Sequence, residues 1–467
     1  MTDPLALLDA AQPASAIATA VRAKKLSATA VTEATLARIA VRDRKLNAFT
    51  TVTRERALAE AAAVDRALAE GRDPGPLAGV PYAVKNLFDI ARVVTVAGSK
   101  INRDYAPAAR DATLIERLRA SGAILLGALN MGEYAYDFTG ENVHDRPSRN
   151  PRDPRRMSGG SSGGSGTAAA SGMAALTLGS DTNGSIRVPS ALCGLFGLKP
   201  TYGRLSRRGS FPFVNSLDHL GPLGRSAKDL ALAYDAMQGA DAEDPACAGR
   251  PVEPASPALA RGIDGLRIAV AGGYFEKGGA PEAHQAVETV AKALGASRRV
   301  EVPEAARARA AAFVITASEG GTLHLDRLRR RADDFDPATR DRLIAGALTP
   351  AAWYIQAQRF RRWYHGEVMK LFQEVDVLLA PATPVSAPLI GQKMMTLDGK
   401  EIAVRANLGI FTQPISFIGL PVVAVPVMRP GAMPLGVQVI AAPWQEATAL
   451  SVAAALEAEG VCAAPVA

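Results

Sequence analysis

The stretch from Ser158 to Ser190 constrains this chain most. It reads Ser-Gly-Gly-Ser-Ser-Gly-Gly-Ser-Gly, then a run of small residues, then Gly179-Ser-Asp-Thr-Asn-Gly-Ser-Ile-Arg-Val-Pro-Ser. Two Gly/Ser-rich turns therefore flank a predicted small-residue helix over 163–172 and a predicted strand over Ala174–Leu178. Glycine permits close backbone approach and positive φ, so a reacting group can sit against exposed N–H groups. Serine supplies hydroxyls. These are the components of a nucleophile and an oxyanion hole.

Other readings of the same residues fare worse. A Walker phosphate loop ends in Gly-Lys-Ser/Thr, and this stretch has no lysine. Gly164-Ser-Gly-Thr-Ala-Ala partly mimics a dinucleotide fingerprint, but no strong apolar strand leads into it. Gly159-Gly-Ser-Ser-Gly163 matches a nucleophile elbow in form, but that device needs a histidine base and the histidines offer no motif. A flexible linker would not alternate with apolar strands.

Around this segment helix and strand alternate. Helical periodicity runs through Thr29–Arg42 and Arg54–Leu68, and the apolar run Gly79–Val84 ends abruptly in Lys85-Asn86. Asp111 is placed to cap a helix through Ala120, with Gly122 just past its end, and Ala123–Leu126 follows as a buried strand. Further strands are predicted at Leu266–Ala271, Asp376–Ala380 and Pro421–Val427. Helices are predicted at 225–237 and 281–295, and over most of 303–372. The predicted class is α/β, one large domain over 1–467 with a mixed or parallel central sheet and a helical insertion near 300–370.

Composition narrows the partners. Of 467 residues 48% are hydrophobic, which excludes a mostly disordered chain. The net charge of +7 is mild for this size. The arginine clusters 327–331 and 359–362 read as solvated helical faces, so no nucleic-acid partner is expected. Three scattered cysteines suit a reducing, cytoplasmic setting. Five histidines never approach a metal-motif spacing, so no metal is expected. The acidic start Met1-Thr-Asp-Pro does not read as a signal peptide. The apolar segment Ser416–Met428, broken by Pro421 and Pro426, is too short to span a bilayer, so no membrane association is expected.

Taken together, Gly79-Val-Pro-Tyr-Ala-Val-Lys85-Asn-Leu-Phe-Asp89, Asn130-Met-Gly-Glu133, the Gly/Ser segment, Gly197-Leu-Lys-Pro-Thr-Tyr-Gly203 and Asp218-His-Leu-Gly-Pro222 resemble the amidase signature family. The likeness covers about 30 to 450, with a signature core at about 75–230. It implies one α/β domain with a mixed sheet covered by helices, hydrolysis of carboxamides and no cofactor. Carried over residue by residue, it implies Lys85 as general base, Ser161 as bridging serine and Ser185 as nucleophile. The N–H groups of Thr182, Asn183, Gly184 and Ser185 are implied as the oxyanion hole, and the Gly160–Ser161 peptide as cis. The chemistry is coherent: lysine is a base only when neutral, so burial must depress its pKa. A bridging hydroxyl can accept one proton while giving another.

Asn183 stands where much of the family has glycine, and it is expected to tolerate a left-handed turn there, with its side chain able to reach the substrate. Ser162 and Ser165 are expected to give supporting hydrogen bonds. Asp181 and Arg187 are expected as an ion pair, Cys193 as a small core residue, and Trp353, Tyr354 and Trp363 as core or interface residues.

Two subfamilies are the nearest in pattern. In glutamine-hydrolysing amidotransferases of the A type, the acidic residue that holds glutamine's ammonium registers on Gly409, which has no charge. Tyr136-Asp-Phe-Thr-Gly-Glu-Asn-Val-His144 and Ser318-Glu-Gly-Gly-Thr-Leu-His324 instead resemble the AtzE-type amidohydrolase branch, which includes 1-carboxybiuret hydrolase. That resemblance implies a small, urea-like or linear amide bearing a carboxylate. A cationic clamp is then needed, because arginine binds carboxylates bidentately. Arg342, or failing that Arg340, is the candidate, with Arg327 in reserve. The resemblance also implies a homodimer, with a small helical partner protein in some members. A partner-dependent, non-catalytic role is the remaining alternative, against which the intact Lys85, Ser161 and Ser185 argue.

Overall fold

The structure, a computed structural model, describes residues 12–467; expectations for the first eleven residues lie outside the described part. Eleven strands form one sheet. β2 (Pro81–Lys85) lies between β3 (Ile124–Leu129) and β4 (Leu176–Asp181) and runs parallel to both. All three strands are buried at every residue. Parallel strands covered on both faces read as continuous apolar runs, which is why β2 and β3 are visible in the sequence. β1 (Phe49–Val52) closes one edge antiparallel to β3.

The middle of the sheet is antiparallel. β6 (His219–Gly224) pairs with β4 and with β5 (Phe196–Lys199); β12 (Val422–Val427) pairs with β5 and with β13 (Leu435–Ala441). β9 (Val377–Pro381) then carries the sheet into parallel β7 (Ile268–Gly272) and β8 (Arg299–Glu301). The full order is β1-β3-β2-β4-β6-β5-β12-β13-β9-β7-β8. A separate hairpin joins β10 (Met394–Leu397) to β11 (Lys400–Ala403). The mixed sheet is flanked by helices, as expected.

Two expectations shift. β4 starts later than predicted and reaches Asp181, because its partner β6 supports it from Leu176 opposite Gly224 to Asp181 opposite His219. Asp111 does not cap the helix Thr113–Ala120, whose N-terminal residue Ala112 makes no side-chain cap. Its carboxylate instead binds Arg56 at 2.7 and 2.8 Å and accepts from the Ala91 N–H.

Residues 305–371 hold four helices, Ala305–Leu323, Leu325–Arg331, Pro337–Ala347 and Ala351–Leu371. The first and third cross almost backbone to backbone. A Cβ at Gly346 would lie 1.9 Å from the Ala317 carbonyl oxygen, so only glycine permits the approach. That crossing brings Thr316 and Arg342 to one cavity. On the fourth helix Trp353 and Trp363 are 58% and 46% exposed, so neither is a core residue.

Candidate active site

Lys85 ends β2, at the C-terminal edge shared with parallel β4. It is fully buried, and its Nζ donates to Ser161 Oγ at 2.7 Å and to Ser180 Oγ at 2.8 Å. Burial lowers its pKa from 10.5 to about 7, against the opposing pull of Asp218, Asp181 and Asp137. A lysine so placed is close to half neutral at pH 7.

Ser161 sits just before the helix Gly163–Ala170, and the Gly160–Ser161 peptide is cis. The loop is pinned on both sides: Gly160 N donates to Phe138 O at 2.9 Å, and Ser161 O accepts from Gly132 N at 3.1 Å. Ser162 Oγ donates to Ser180 O, and Ser165 Oγ donates to Leu178 O, which ties the helix start to β4. Both serines thus play the supporting part expected of them.

β4 runs out at Asp181 into the turn 182–185. Gly184 has φ +145°, and a Cβ there would lie 2.2 Å from Thr412 Oγ1, so glycine is required. Thr412 Oγ1 donates to Asn183 O at 2.6 Å, and Thr182 Oγ1 donates to Asp218 Oδ1 at 2.6 Å. Asn183 is not in the left-handed region, which corrects the expectation of a left-handed turn there. Its side chain turns to the helix Ala305–Leu323 and donates to Thr316 Oγ1 at 2.9 Å, while its Oδ1 is buried without a partner. Among the described residues the N–H groups of 182–185 donate to no protein acceptor.

Beneath the turn lies the Asp181–Arg187 pair, fully buried at 2.9 Å. Arg187 also donates to Gln438 Oε1 and Thr412 O, and contacts Ser416 Oγ. Burial alone would raise the Asp181 pKa, but Arg187, helped by Lys199 and His219, holds it far below the usual carboxylate range. Cys193 is a buried small residue whose thiol burial pushes up to about 12, as suits a core position.

Ser185 opens into a small cavity lined also by Thr182, Asn183, Phe138, Phe213, Thr316 and Arg342. Among the described residues no hydrogen bond joins Ser185 to Ser161. Arg342 is half-buried; its guanidinium, whose pKa burial lowers, stacks 3.5 Å over the Tyr136 ring and donates to Tyr136 O at 2.9 Å. Arg340 is not brought to the cavity; it pairs with Asp341 and Asp333. Arg327 stacks on Tyr105 and Phe211 instead.

Sequence reasoning missed the second partner of Lys85, Ser180. The signal was its place on β4, but β4 is known to neighbour β2 only once the sheet is seen. It also missed Asp137, buried and paired with Arg405 at 3.2 Å, and Thr316, which no motif carries. Among the described residues no three His, Cys, Asp or Glu converge to hold a metal ion, and no helix is long and apolar enough to cross a membrane.

A buried lysine of lowered pKa bonded to a serine, beside a glycine turn with unsatisfied N–H groups and a serine facing a cavity, defines a hydrolase of carbon–nitrogen bonds in linear amides. The chain belongs to the Amidase family, whose model matches residues 30–450. It is 57% identical to AtzE, the 1-carboxybiuret hydrolase component of Pseudomonas sp. (strain ADP), over 94% of this chain and 96% of that protein. It is 38% identical to the A component of the glutamyl-tRNA(Gln) amidotransferase of Azotobacter vinelandii, over 94% and 95% of the two chains. A solved structure of a vestigial protein complex, described as revealing the evolutionary origins of an s-triazine catabolic enzyme, superposes with TM-score 0.96 at 55% identity. The match covers 97% of this chain and 99% of that one.

Proposed function

We propose that the chain hydrolyses a small, carboxylate-bearing linear or urea-like amide and releases ammonia through Lys85, Ser161 and Ser185. The observation that carries the reading is Arg342, a half-buried guanidinium lining the same small cavity as Ser185. Among the described residues it has no carboxylate in hydrogen-bond contact, and a cation so placed is suited to a carboxylate brought by the ligand. The substrate named for the AtzE relative, 1-carboxybiuret, has that form.

In this reading Ser185 Oγ attacks the amide carbonyl. Its proton passes to Ser161 Oγ, whose own proton passes to Lys85 Nζ. The N–H groups of 182–185 hold the oxyanion; one such donor is worth about 3–4 kcal/mol. Collapse of the tetrahedral adduct returns the proton from Lys85 through Ser161 to the leaving nitrogen, and ammonia departs. Water then attacks the acyl-enzyme by the same relay. The Ser185–Ser161 link is open in the resting structure, and such links tighten when substrate binds.

Ammonia release from biuret, 1-carboxybiuret, malonamate, oxamate, glutamine and a simple aliphatic amide tests the reading, with Ser185→Ala alongside. Release from the carboxylated amides, abolished in the variant, supports it. Release from glutamine alone would move the chain to the amidotransferase class. Against that class stands Gly409, uncharged and covered by the Phe138 ring.

We also propose a homodimer in a reducing, cytoplasmic setting, joined by a small helical partner protein. Support comes from exposed Trp353, Ile355 and Trp363 on one helix, three unpaired cysteines, and the similarity to a chain solved in a protein complex. Light scattering of the chain alone and with a co-expressed neighbour tests the assembly.

A further inference from the structure

Resting on the reading just given, we propose that Phe138 sets how far an acyl group can extend from Ser185, so that its ring excludes longer amides. Phe138 is 7% exposed and lines the cavity beside Ser185 and Arg342. The far tip of its ring stands over Gly409. A Cβ at 409 would meet ring atoms Cζ, Cε2 and Cε1 at 2.4, 2.7 and 2.8 Å. Gly409 does not have a left-handed φ, so the ring, and not the backbone, is what demands glycine there.

The ring is held at a fixed distance from the reacting turn. Thr412 Oγ1 bridges Gly409 O, at 3.0 Å, and Asn183 O, at 2.6 Å. The floor under the ring and the turn that carries Ser185 are therefore one unit. The ring also belongs to an apolar cluster with Met157, Val188 and Leu408, which leaves it little room to swing aside. Its backbone is pinned separately, by Gly160 N on Phe138 O. Trimming the side chain therefore enlarges the cavity without releasing the loop.

Two substitutions follow with opposite sign. Phe138→Ala removes the wall. Gly409→Ala pushes the ring toward the cavity. Both are read as kcat/KM along two series: neutral primary amides from acetamide to hexanamide, and malonamate, succinamate and glutaramate. In F138A the ratio of longest to shortest substrate rises by about tenfold or more, and Phe138→Leu falls between. G409A moves the ratio the other way, and the double variant F138A/G409A keeps the raised ratio of F138A, because the ring through which Ala at 409 acts is gone. A ratio in folded F138A and F138L within about twofold of the parent would overturn the inference. Turnover of the neutral series with none of the carboxylated series would overturn the carboxylate reading instead, while still measuring the size limit.

Discussion

Lys85 Nζ lies 2.7 Å from Ser161 Oγ, and neither side chain is exposed to solvent. Its two hydrogen-bond partners are neutral hydroxyls; the nearby carboxylates act only at a distance. Burial therefore wins, and the amine titrates at about 7. A general base must be neutral to work, so kcat/KM should rise with pH and level off above that value. A pH–rate profile from about 5.5 to 9 on one amide checks it. An acid limb absent from that range would remove Lys85 as the base.

The same burial costs stability. The unfolded lysine keeps 10.5, while the folded one sits at about 7. Between these values the unfolded chain binds more protons, so stability rises with pH across that window. Below about 7 both states are charged and the full cost is felt. Lys85→Met should abolish turnover yet unfold at higher urea than the parent at pH 7, with the gap closing toward pH 10. Equal midpoints at both pH values would show that the burial cost is offset elsewhere.

Asp218 is the largest of the influences that oppose this shift, and it also anchors Thr182 and accepts from the Phe213 and Val214 N–H groups. Asn keeps an acceptor for those two amides and a donor for Thr182 Oγ1, but removes the charge. In Asp218→Asn the acid limb should move to lower pH by roughly half a unit to one unit. Movement to higher pH would mean that Asp218 acts on Lys85 through geometry rather than charge.

What the sequence makes legible is what local chemistry dictates. Lys85 stands out because a charge abruptly ends an apolar run, and Gly184 because its turn admits no side chain. β5, β6 and β13 escape a reading of the sequence: Phe-Gly-Leu-Lys and His-Leu-Gly-Pro-Leu-Gly carry the residues of turns, and only sheet neighbours make them strands. Ser180, Thr316 and Phe138 join the site through contacts distant in sequence, which no local pattern encodes. Resemblance favours Arg342 over Arg340; the helix crossing at Gly346 is what turns the first toward the cavity.

Arg342→Ala should separate the two kinds of substrate. Truncating one partner of a desolvated charge pair costs about 2–5 kcal/mol, which is roughly a 30-fold or larger rise in KM for a carboxylated amide. A neutral amide of the same length should show a change of only about threefold. Arg340→Ala should leave that difference untouched, because its partners are Asp333 and Asp341. Equal losses on both kinds of amide would mean that Arg342 only props Tyr136.

Arg187, fully buried, has four kinds of acceptor: both Asp181 oxygens at 2.9 Å, Gln438, Thr412 O and Ser416. Removing the cation leaves the Asp181 carboxylate buried and unpaired beneath the turn 182–185. Breaking such a pair costs about 3–5 kcal/mol. Arg187→Met should lower the unfolding free energy by that amount at pH 7, read from the shift of the urea midpoint. The parent's Asp181 has its pKa depressed, so the pair's stabilisation is present above the ordinary carboxylate range and is lost as pH falls below it. The variant should lack that acid dependence, because its Asp181, no longer held down by Arg187 against burial, takes up a proton at higher pH than in the parent. Its midpoint should therefore approach the parent's as pH falls toward about 3. A gap that stays constant from pH 7 to pH 3 would show that Arg187 stabilises by packing and not by charge.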